Sequence, residues 1–233
     1  MNSSSTTDYQ LDKSDRIELI HECQYLTVVS FEIFCQTKET YAYALEQDEI
    51  CVIFYTIALE TSNGWKIESY ALISTVHFRL TKPDLLRKSF QSLENKTIEF
   101  VSSELELIEE FCKRIELIDP DILICYEMKL SLYYLIKRAK LKYNLDLLVK
   151  LSRMPNPQDN ITRHRSHMNA DGNDLPVIVG RIVLELWKLL RNEITLNIYS
   201  FENAIFHILN ERVPRYELSL LSKWFIDEGK KKQ

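Results

Sequence analysis

Three glutamates stand beside predicted strands and have the chemistry to form a metal site. Glu32 lies inside one apolar stretch, Glu127 follows a second, and Glu185 lies near the end of a third. Magnesium prefers oxygen ligands, and phosphodiester cleavage by two metal ions needs several carboxylates around ions roughly 3.5–4 Å apart. One interpretation is therefore a rearranged site made of these three glutamates. The other is a structural role for each, since a buried carboxylate needs a partner.

Other catalytic chemistry has little support in the sequence. A polar stretch at 152–176 carries His164 and His167 beside Arg163 and Arg165, and its prolines and Asp-Gly pair predict an exposed loop. These side chains either are solvated or contact phosphate. No Gly-x-Ser-x-Gly motif and no Gly-rich phosphate loop occurs in a chain with four glycines, which excludes those two chemistries.

A predicted helix over 130–143 has a basic outer face. The basic residues of this face and of the segment after it are Lys137, Arg138, Lys140, Lys142, Lys150 and Arg153. Such a face is either solvated or a patch for backbone phosphates, and phosphate contacts position DNA without reading its sequence. These six residues are the candidate nucleic-acid contacts.

The composition is that of a globular protein, with 45% hydrophobic and 27% charged residues and a net charge of −5. Because proteins that hold nucleic acid by bulk electrostatics are usually basic, any DNA contact needs a local patch. No apolar run reaches the ~18 residues that span a bilayer. The five cysteines form no C-x-x-C pair, so we interpret them as buried thiols in a reducing compartment rather than as zinc ligands.

The hydrophobic pattern predicts strands first and then strands that alternate with helices. The predicted strands are 25–35, 50–59, 65–73, 97–101, 122–126 and 177–186. Five helices are predicted. Two of them begin at Ser103 and Ser200, and the other three cover 130–143, 187–192 and 216–225. The first three strands form an antiparallel meander with a turn at Asn63-Gly64. This order fits a ribonuclease-H-like α/β (α+β) fold, a mixed central sheet flanked by helices.

Four stretches resemble the exonuclease domain of family B DNA polymerases, and within that family the zeta type. They are VSFEIFC at 29–35, DPDILICYEMKLSLYYLIKRA at 119–139, VGRIVLELWKLLRNEITLNIYSFENAIFHIL at 179–209, and LSKWF at 221–225. Each stretch is mostly hydrophobic, so their order and spacing carry the resemblance.

The resemblance implies degenerate positions where proofreading relatives carry metal-binding carboxylates. Their Asp-x-Glu pair falls on Glu32 and Phe34, and the carboxylate of their second motif falls on Ser131, or on Leu132 with a different gap. Their third motif is a Tyr-x-x-x-Asp helix, but Tyr216 is followed four residues later by a leucine. We therefore expect no catalytic residue, no bound metal and no nuclease activity in this chain.

The resemblance also implies a parent protein that extends primers past DNA lesions without proofreading. Its partners would be DNA, the remaining polymerase domains and accessory subunits, and its location the nucleus. Mg²⁺ and an iron–sulfur cluster would belong to that parent rather than to this chain, and no membrane contact is expected. Because the Asp-Thr-Asp and Ser-Leu-Tyr-Pro type motifs of a polymerase palm do not occur, we expect no DNA synthesis by this chain alone.

We predict three segments in a chain that is a fragment or a truncated gene product. These are a disordered lead-in at 1–20, an exonuclease-like domain at 21–228 without its third-motif helix, and a charged tail at 229–233. Two other functions stay open. One is an active metal-dependent 3′–5′ exonuclease, and the other is a free-standing interaction module with an exposed apolar patch around Phe201, Ile205 and Trp224.

Overall fold

A six-stranded mixed sheet with the strand order β4-β3-β2-β1-β5-β6 forms the centre of the protein. The computed structural model describes residues 24–38, 47–76, 96–154 and 176–231, without the side chains of 96 and 226–231. The strands are β1 Thr27–Cys35, β2 Ile50–Thr61, β3 Gly64–Ser74, β4 Lys96–Val101, β5 Ile122–Cys125 and β6 Ile182–Glu185. The predicted lead-in at 1–20 lies outside the described residues.

The strand pairing confirms the predicted meander and the mixed sheet. β1 pairs with β2, and β2 with β3, in antiparallel orientation. Gly64 has a φ of 110°, a conformation that is open to glycine at little cost, and it closes the turn between β2 and β3. β3 pairs with β4, β1 with β5, and β5 with β6, all in parallel orientation.

Six helices accompany the sheet in the part of the chain that the structure describes. They are α1 Glu104–Ile118, α2 Leu132–Tyr143, α3 Leu147–Lys150, α4 Leu186–Glu193, α5 Phe201–Leu209 and α6 Leu218–Lys231. The predicted starts at Ser103 and Ser200 are confirmed, because each hydroxyl accepts a hydrogen bond from the backbone N–H three residues later. α6 is longer than predicted and includes residues 229–231 of the predicted tail.

The last strand is shorter than the sequence predicts. Only Ile182–Glu185 pairs with β5, whereas the preceding residues approach the sheet through a turn. Gly180 makes this turn with a φ of 85°, and a Cβ at its position would lie 2.8 Å from the Cβ of Arg153. The apolar residues at 177–179 fit the pattern of a strand, but a short apolar run does not reveal whether its backbone is paired.

α1 and α2 cover one face of the sheet and form the main core with it. The ring centroid of Phe111 in α1 lies 5.0 Å from that of Phe31 and 6.1 Å from that of Tyr55. A smaller cluster on the opposite face contains Val52 and Ile73 and is contacted by α6. Cys35, Cys51, Cys112 and Cys125 are buried free thiols as predicted, and the fifth cysteine lies outside the described residues.

The prediction that Arg138 belongs to the outer face of α2 is wrong. Its side chain is 1% exposed, and its Nε and Nη2 lie 2.9 and 3.1 Å from the two carboxylate oxygens of Glu104. The Tyr143 hydroxyl donates to Glu104 at 2.7 Å, and the Ile50 N–H donates to it at 2.9 Å. Glu104 therefore joins α1 to α2 and to β2 inside the core.

The sequence does contain a signal for this burial. Arg138 lies four residues after Tyr134 and seven after Ser131, and both of these side chains are buried. Residues at these spacings share one face of a helix. The positive charge outweighed this spacing in the sequence-based prediction, because a lone arginine is rarely buried without a partner.

Breaking this buried pair is expected to destabilise the protein strongly. Arg138→Met leaves the Glu104 carboxylate without its cation and is expected to lower the free energy of unfolding by about 3–5 kcal/mol. Urea denaturation measures this change. The matched variant Arg138→Met with Glu104→Gln removes both charges and is expected to recover a large part of the loss. Equal losses in the single and double variants would contradict the role assigned to the pair.

Candidate functional site

The three candidate glutamates lie at one edge of the sheet. β1, β5 and β6 run parallel, and Ser30 pairs with Ile124 while Cys125 pairs with Glu185. Glu32 lies two residues beyond Ser30, so the carboxyl ends of the three strands bring Glu32, Glu127 and Glu185 to the same end. The parallel pairing of β1 with β5 makes the strand of Glu32 and the strand that ends two residues before Glu127 neighbours.

Glu32 is largely desolvated and bound to the backbone. Its Oε1 accepts a hydrogen bond from the Tyr126 N–H at 2.6 Å. Burial raises the pKa of Glu32 from its ordinary value of 4.5 to about 7. The Tyr126 N–H and the Ser131 hydroxyl lower that pKa by smaller amounts, and the Glu127 charge raises it slightly. The protein has replaced part of the solvent at this carboxyl group with the Tyr126 N–H.

Ser131 is fully buried and bonded within its own turn. Its hydroxyl donates to the backbone carbonyl of Glu127 at 2.7 Å, just before α2 begins. A hydroxyl that is used in this way adds no negative charge for a dication. The position that resembles a metal-binding carboxylate therefore has a neutral side chain in a local structural role.

Phe34 belongs to the packing of α6 against the sheet. Its ring centroid lies 5.3 Å from that of Phe225, and the ring planes are tilted by 59°. This contact holds an apolar ring two residues along β1 from Glu32, on the same face of the strand. The second carboxylate position of the resemblance is thus part of a hydrophobic cluster.

Glu185 is more buried than the sequence suggests. Its place near the end of a predicted strand suggests a partly exposed side chain, but it is 6% exposed, and its Oε1 accepts a hydrogen bond from the Met128 N–H at 3.0 Å. Lys188 lies 2.8 Å from its Oε2, and the i,i+3 spacing of the two residues was the available signal. Glu127 is exposed, and partial burial together with the Glu185 charge raises its pKa.

These residues do not fit a pair of magnesium ions. Glu32 and Glu185 each accept a hydrogen bond from a backbone N–H, Glu185 is also paired with a lysine, and Phe34 has no side-chain oxygen. Within the described ranges, no group of three or more His, Cys, Asp or Glu side chains is arranged to hold a metal. A two-metal site needs several converging carboxylates, so proximity in the fold is not enough.

The lysines among the six candidate nucleic-acid contacts are either exposed or bonded to neighbouring side chains. Lys140 and Lys150 are exposed, and the Lys137 ammonium lies 5.3 Å from the centroid of the Tyr133 ring. Lys142 forms an ion pair with Glu49 at 3.2 Å. The His164, His167, Arg163 and Arg165 candidates lie outside the described residues.

Arg153 has a structural network of its own. Its guanidinium donates to Asp119 at 2.7 Å and to Asp121 at 2.9 Å, and Arg181 lies 2.9 Å from the same Asp119 carboxylate. These bonds join the end of α1 to the starts of β5 and β6. Arg153 therefore contributes less unpaired positive charge to the surface than its exposure implies.

The sheet is mixed and flanked by helices, and acidic side chains lie at the carboxyl ends of its three parallel strands. This is the arrangement of the ribonuclease-H-like class of exonuclease domains. The family described as "DNA polymerase family B, exonuclease domain" matches residues 1–204. The chain belongs to this family.

Within the family, the chain is similar to the DNA polymerase zeta catalytic subunits. It is 32% identical to the Mus musculus subunit over 219 residues, which cover 88% of this chain and 7% of the mouse protein. It is 33% identical to the Drosophila melanogaster subunit over 217 residues, covering 88% of this chain and 10% of the fly protein. The chain thus spans a small part of the curated relatives it matches. No helix among the described residues is long and apolar enough to cross a membrane.

The raised pKa of Glu32 predicts a specific dependence of stability on pH. The folded protein keeps the Glu32 proton up to a pH of about 7, whereas the unfolded chain releases it near 4.5. The protonated group therefore favours the fold at acid pH, and this contribution is lost as the pH rises from 4.5 through 7.

Glu32→Gln is expected to remove this dependence. Relative to the unsubstituted protein, the variant should gain up to about 3 kcal/mol of unfolding free energy between pH 5 and pH 8. Urea denaturation at both pH values measures the gain, and Glu116→Gln on the exposed side of α1 is the control that should show none. A Glu32→Gln difference that is the same at both pH values would contradict the desolvated state of Glu32.

Proposed function

We propose that this chain is a catalytically inactive exonuclease-type domain that serves as a scaffold and DNA-contacting part of a zeta-type translesion polymerase. The observation that carries the proposal is the state of Glu32. It is the one carboxylate among the positions that resemble metal ligands, and it is bonded to the Tyr126 N–H. In this setting a single carboxylate has neither the partners nor the free oxygens to neutralise two dications.

The wider assignments rest on the similarity to zeta catalytic subunits. Lesion bypass, accessory subunits, the remaining polymerase domains and a nuclear location are proposed for the protein of which this domain is a part. Mg²⁺ and an iron–sulfur cluster are proposed to act elsewhere in that protein. The domain boundaries at 21 and 228 stay predictions.

The purified chain is expected to release no nucleotides from single-stranded DNA in the presence of magnesium or manganese. An exonuclease-proficient family B polymerase serves as the positive control in the same assay. Because the alternative active site has Glu32 at its centre, release that is abolished by Glu32→Gln would establish a nuclease and overturn the proposal. Release that survives this substitution would identify a contaminating nuclease.

An active exonuclease remains the alternative from the enzyme class. The gathering of Glu32, Glu127 and Glu185 at one edge of the sheet favours it, since their strands are neighbours. A free-standing interaction module is the alternative from the binding class. The exposure of Phe201 and Trp224, 46% and 44%, favours that function, although Ile205 is half-buried.

The DNA-contacting role is proposed for a smaller set than the six basic residues of the sequence. Arg138 is withdrawn because it is buried against Glu104. The leading contacts are Lys137, Lys140 and Lys150. The other two, Lys142 and Arg153, form ion pairs with acidic residues, and these ion pairs must break before either side chain can bind phosphate. With a net charge of −5, binding through these lysines would be weak and dependent on salt.

Charge reversal tests this set of lysines. The triple variant Lys137→Glu, Lys140→Glu and Lys150→Glu is expected to weaken DNA binding and to reduce the salt slope by about 0.7–0.9 for each lost phosphate contact. Fluorescence anisotropy with labelled DNA at several salt concentrations measures both. Lys66→Glu, on the β2–β3 hairpin, is the control that should leave binding unchanged. Equal DNA binding by the triple variant and the unsubstituted chain would show that these three lysines do not contact DNA.

A further inference from the structure

The two faces of the sheet are covered very unequally. Val29, Phe31 and Tyr55 point towards α1 and α2 and are at most 3% exposed. On the opposite face, α6 is the element that packs on the sheet among the described residues, and it contacts only one end. A sheet normally buries its apolar face against a second layer. The rest of this second face has no such layer in the described part of the chain.

The strand register identifies the residues of this uncovered area, which we call the open face. Thr56 pairs with both Ser30 and Ser69, and its hydroxyl lies 3.1 Å from that of Ser69, so these side chains share a face. Alternation along the strands then assigns the other members. The open face consists of Leu26, Val28, Ser30, Glu32, Phe54, Thr56, Ala58, Glu60, Trp65, Ile67 and Ser69.

The open face exposes large apolar side chains. Leu26, Phe54, Trp65 and Ile67 are 42%, 50%, 51% and 65% exposed. At the end next to α6, a cavity of about 720 Å³ is lined by Phe34, Phe54 and Trp224, among others. An antiparallel sheet that faces water on one side normally alternates apolar and polar residues, so four exposed apolar side chains on the solvent side indicate a partner.

The charge of the open face selects the kind of partner. None of the residues named above is a lysine or an arginine, and the register adds one lysine, Lys96 of β4, which pairs with Ser69; one cation at the edge is too few for a phosphate backbone. Its two acids are bonded to the backbone, Glu32 to the Tyr126 N–H and Glu60 to the Leu26 N–H at 3.0 Å. A mostly apolar surface with a few hydroxyls and two acids fits a protein segment and not a nucleic acid.

The length of the relatives and the position of α6 indicate where that segment comes from. The similarity covers 7% of the mouse zeta subunit, so most of that polypeptide lies outside the matched region. α6 lies at one end of this same face, where the Ser222 hydroxyl accepts a hydrogen bond from the Thr37 N–H at 2.9 Å. A longer chain that continues from α6 would leave the domain beside the open face.

We propose that the open face is an intramolecular docking surface, which receives an apolar segment of the longer polymerase polypeptide from beyond the matched region. This inference rests on the proposed function, because it takes the chain to be part of a larger polymerase. The occupant packs against Phe54, Trp65 and Ile67 and fills the cavity beside Trp224. The domain is thereby joined to the rest of the polymerase by a continuous core rather than by a linker alone.

Cysteine labelling tests the proposal on two polypeptides. One is the 233-residue chain. The other is the same chain fused to the polypeptide that follows the matched region in the mouse relative. Ile67→Cys reports on the open face, and Leu117→Cys, at a position that is 80% exposed on α1, is the matched control. Both are made with Cys23→Ser, since the cysteines of the described residues are buried.

In the fused polypeptide, maleimide labelling of the Ile67→Cys variant is expected to be at least about ten-fold slower than in the chain alone. Labelling of the Leu117→Cys variant should be equal in both. Trp65→Asp should lower the melting midpoint of the fused polypeptide and leave that of the chain alone unchanged. Equal labelling of Ile67→Cys in both polypeptides, together with an unchanged midpoint, would overturn the proposal.

The other possible occupants give different results. Slow labelling of Ile67→Cys in the chain alone that becomes faster on dilution would identify a second copy of the chain. Slow labelling on addition of single-stranded DNA would identify a nucleic acid. Either result would overturn the proposal. The nuclease assay is read separately, so an active chain with a protected open face would refute the inactive assignment and leave the docking surface standing.

Discussion

The parallel pairing of β1 with β5 is the constraint on which the chemistry of this domain depends. This pairing sets the Tyr126 N–H against the Glu32 carboxyl group. A carboxylate that loses water must gain either cations or hydrogen bonds. Here it gains a peptide N–H and lies near the Ser131 side chain, and its pKa stays high because these replace only part of the lost hydration.

A second consequence of the fold is that some positive side chains are bonded to carboxylates within the structure, whereas others remain exposed at the surface. Arg138 and Arg153 carry the same charge as the lysines around them, but each is bonded to carboxylates that join elements of the fold. Glu104 is the centre of the buried network, since it contacts α2 and the first residue of β2 while belonging to α1. Positive charge near a helix surface is therefore available to a partner only where the packing leaves it exposed.

In the described part of the chain, helices cover one side of the sheet and only one end of the other side. The α1–α2 layer and the buried faces of β1 and β2 form a core that the chain supplies by itself. The open face, with Trp65 and Ile67 exposed, has the apolar content of an interior, and within residues 24–38, 47–76, 96–154 and 176–231 only α6 packs on it, at one end. Such asymmetry is what a domain has when its remaining contacts belong to a larger structure, and it agrees with the short stretch of the relatives that the chain matches.

The sequence by itself determined the strand meander, the helix starts at Ser103 and Ser200, and the placement of Glu32 and Phe34 two residues apart on one strand. These features depend on local periodicity, on capping side chains and on residue identity, all of which can be read along the chain. Only the tertiary structure decided that Arg138 is buried against Glu104, that Glu185 is held by Met128 and Lys188, and that Trp65 faces solvent. Burial and partnership depend on residues distant in sequence, and no local pattern states which side of a helix or strand another element will cover.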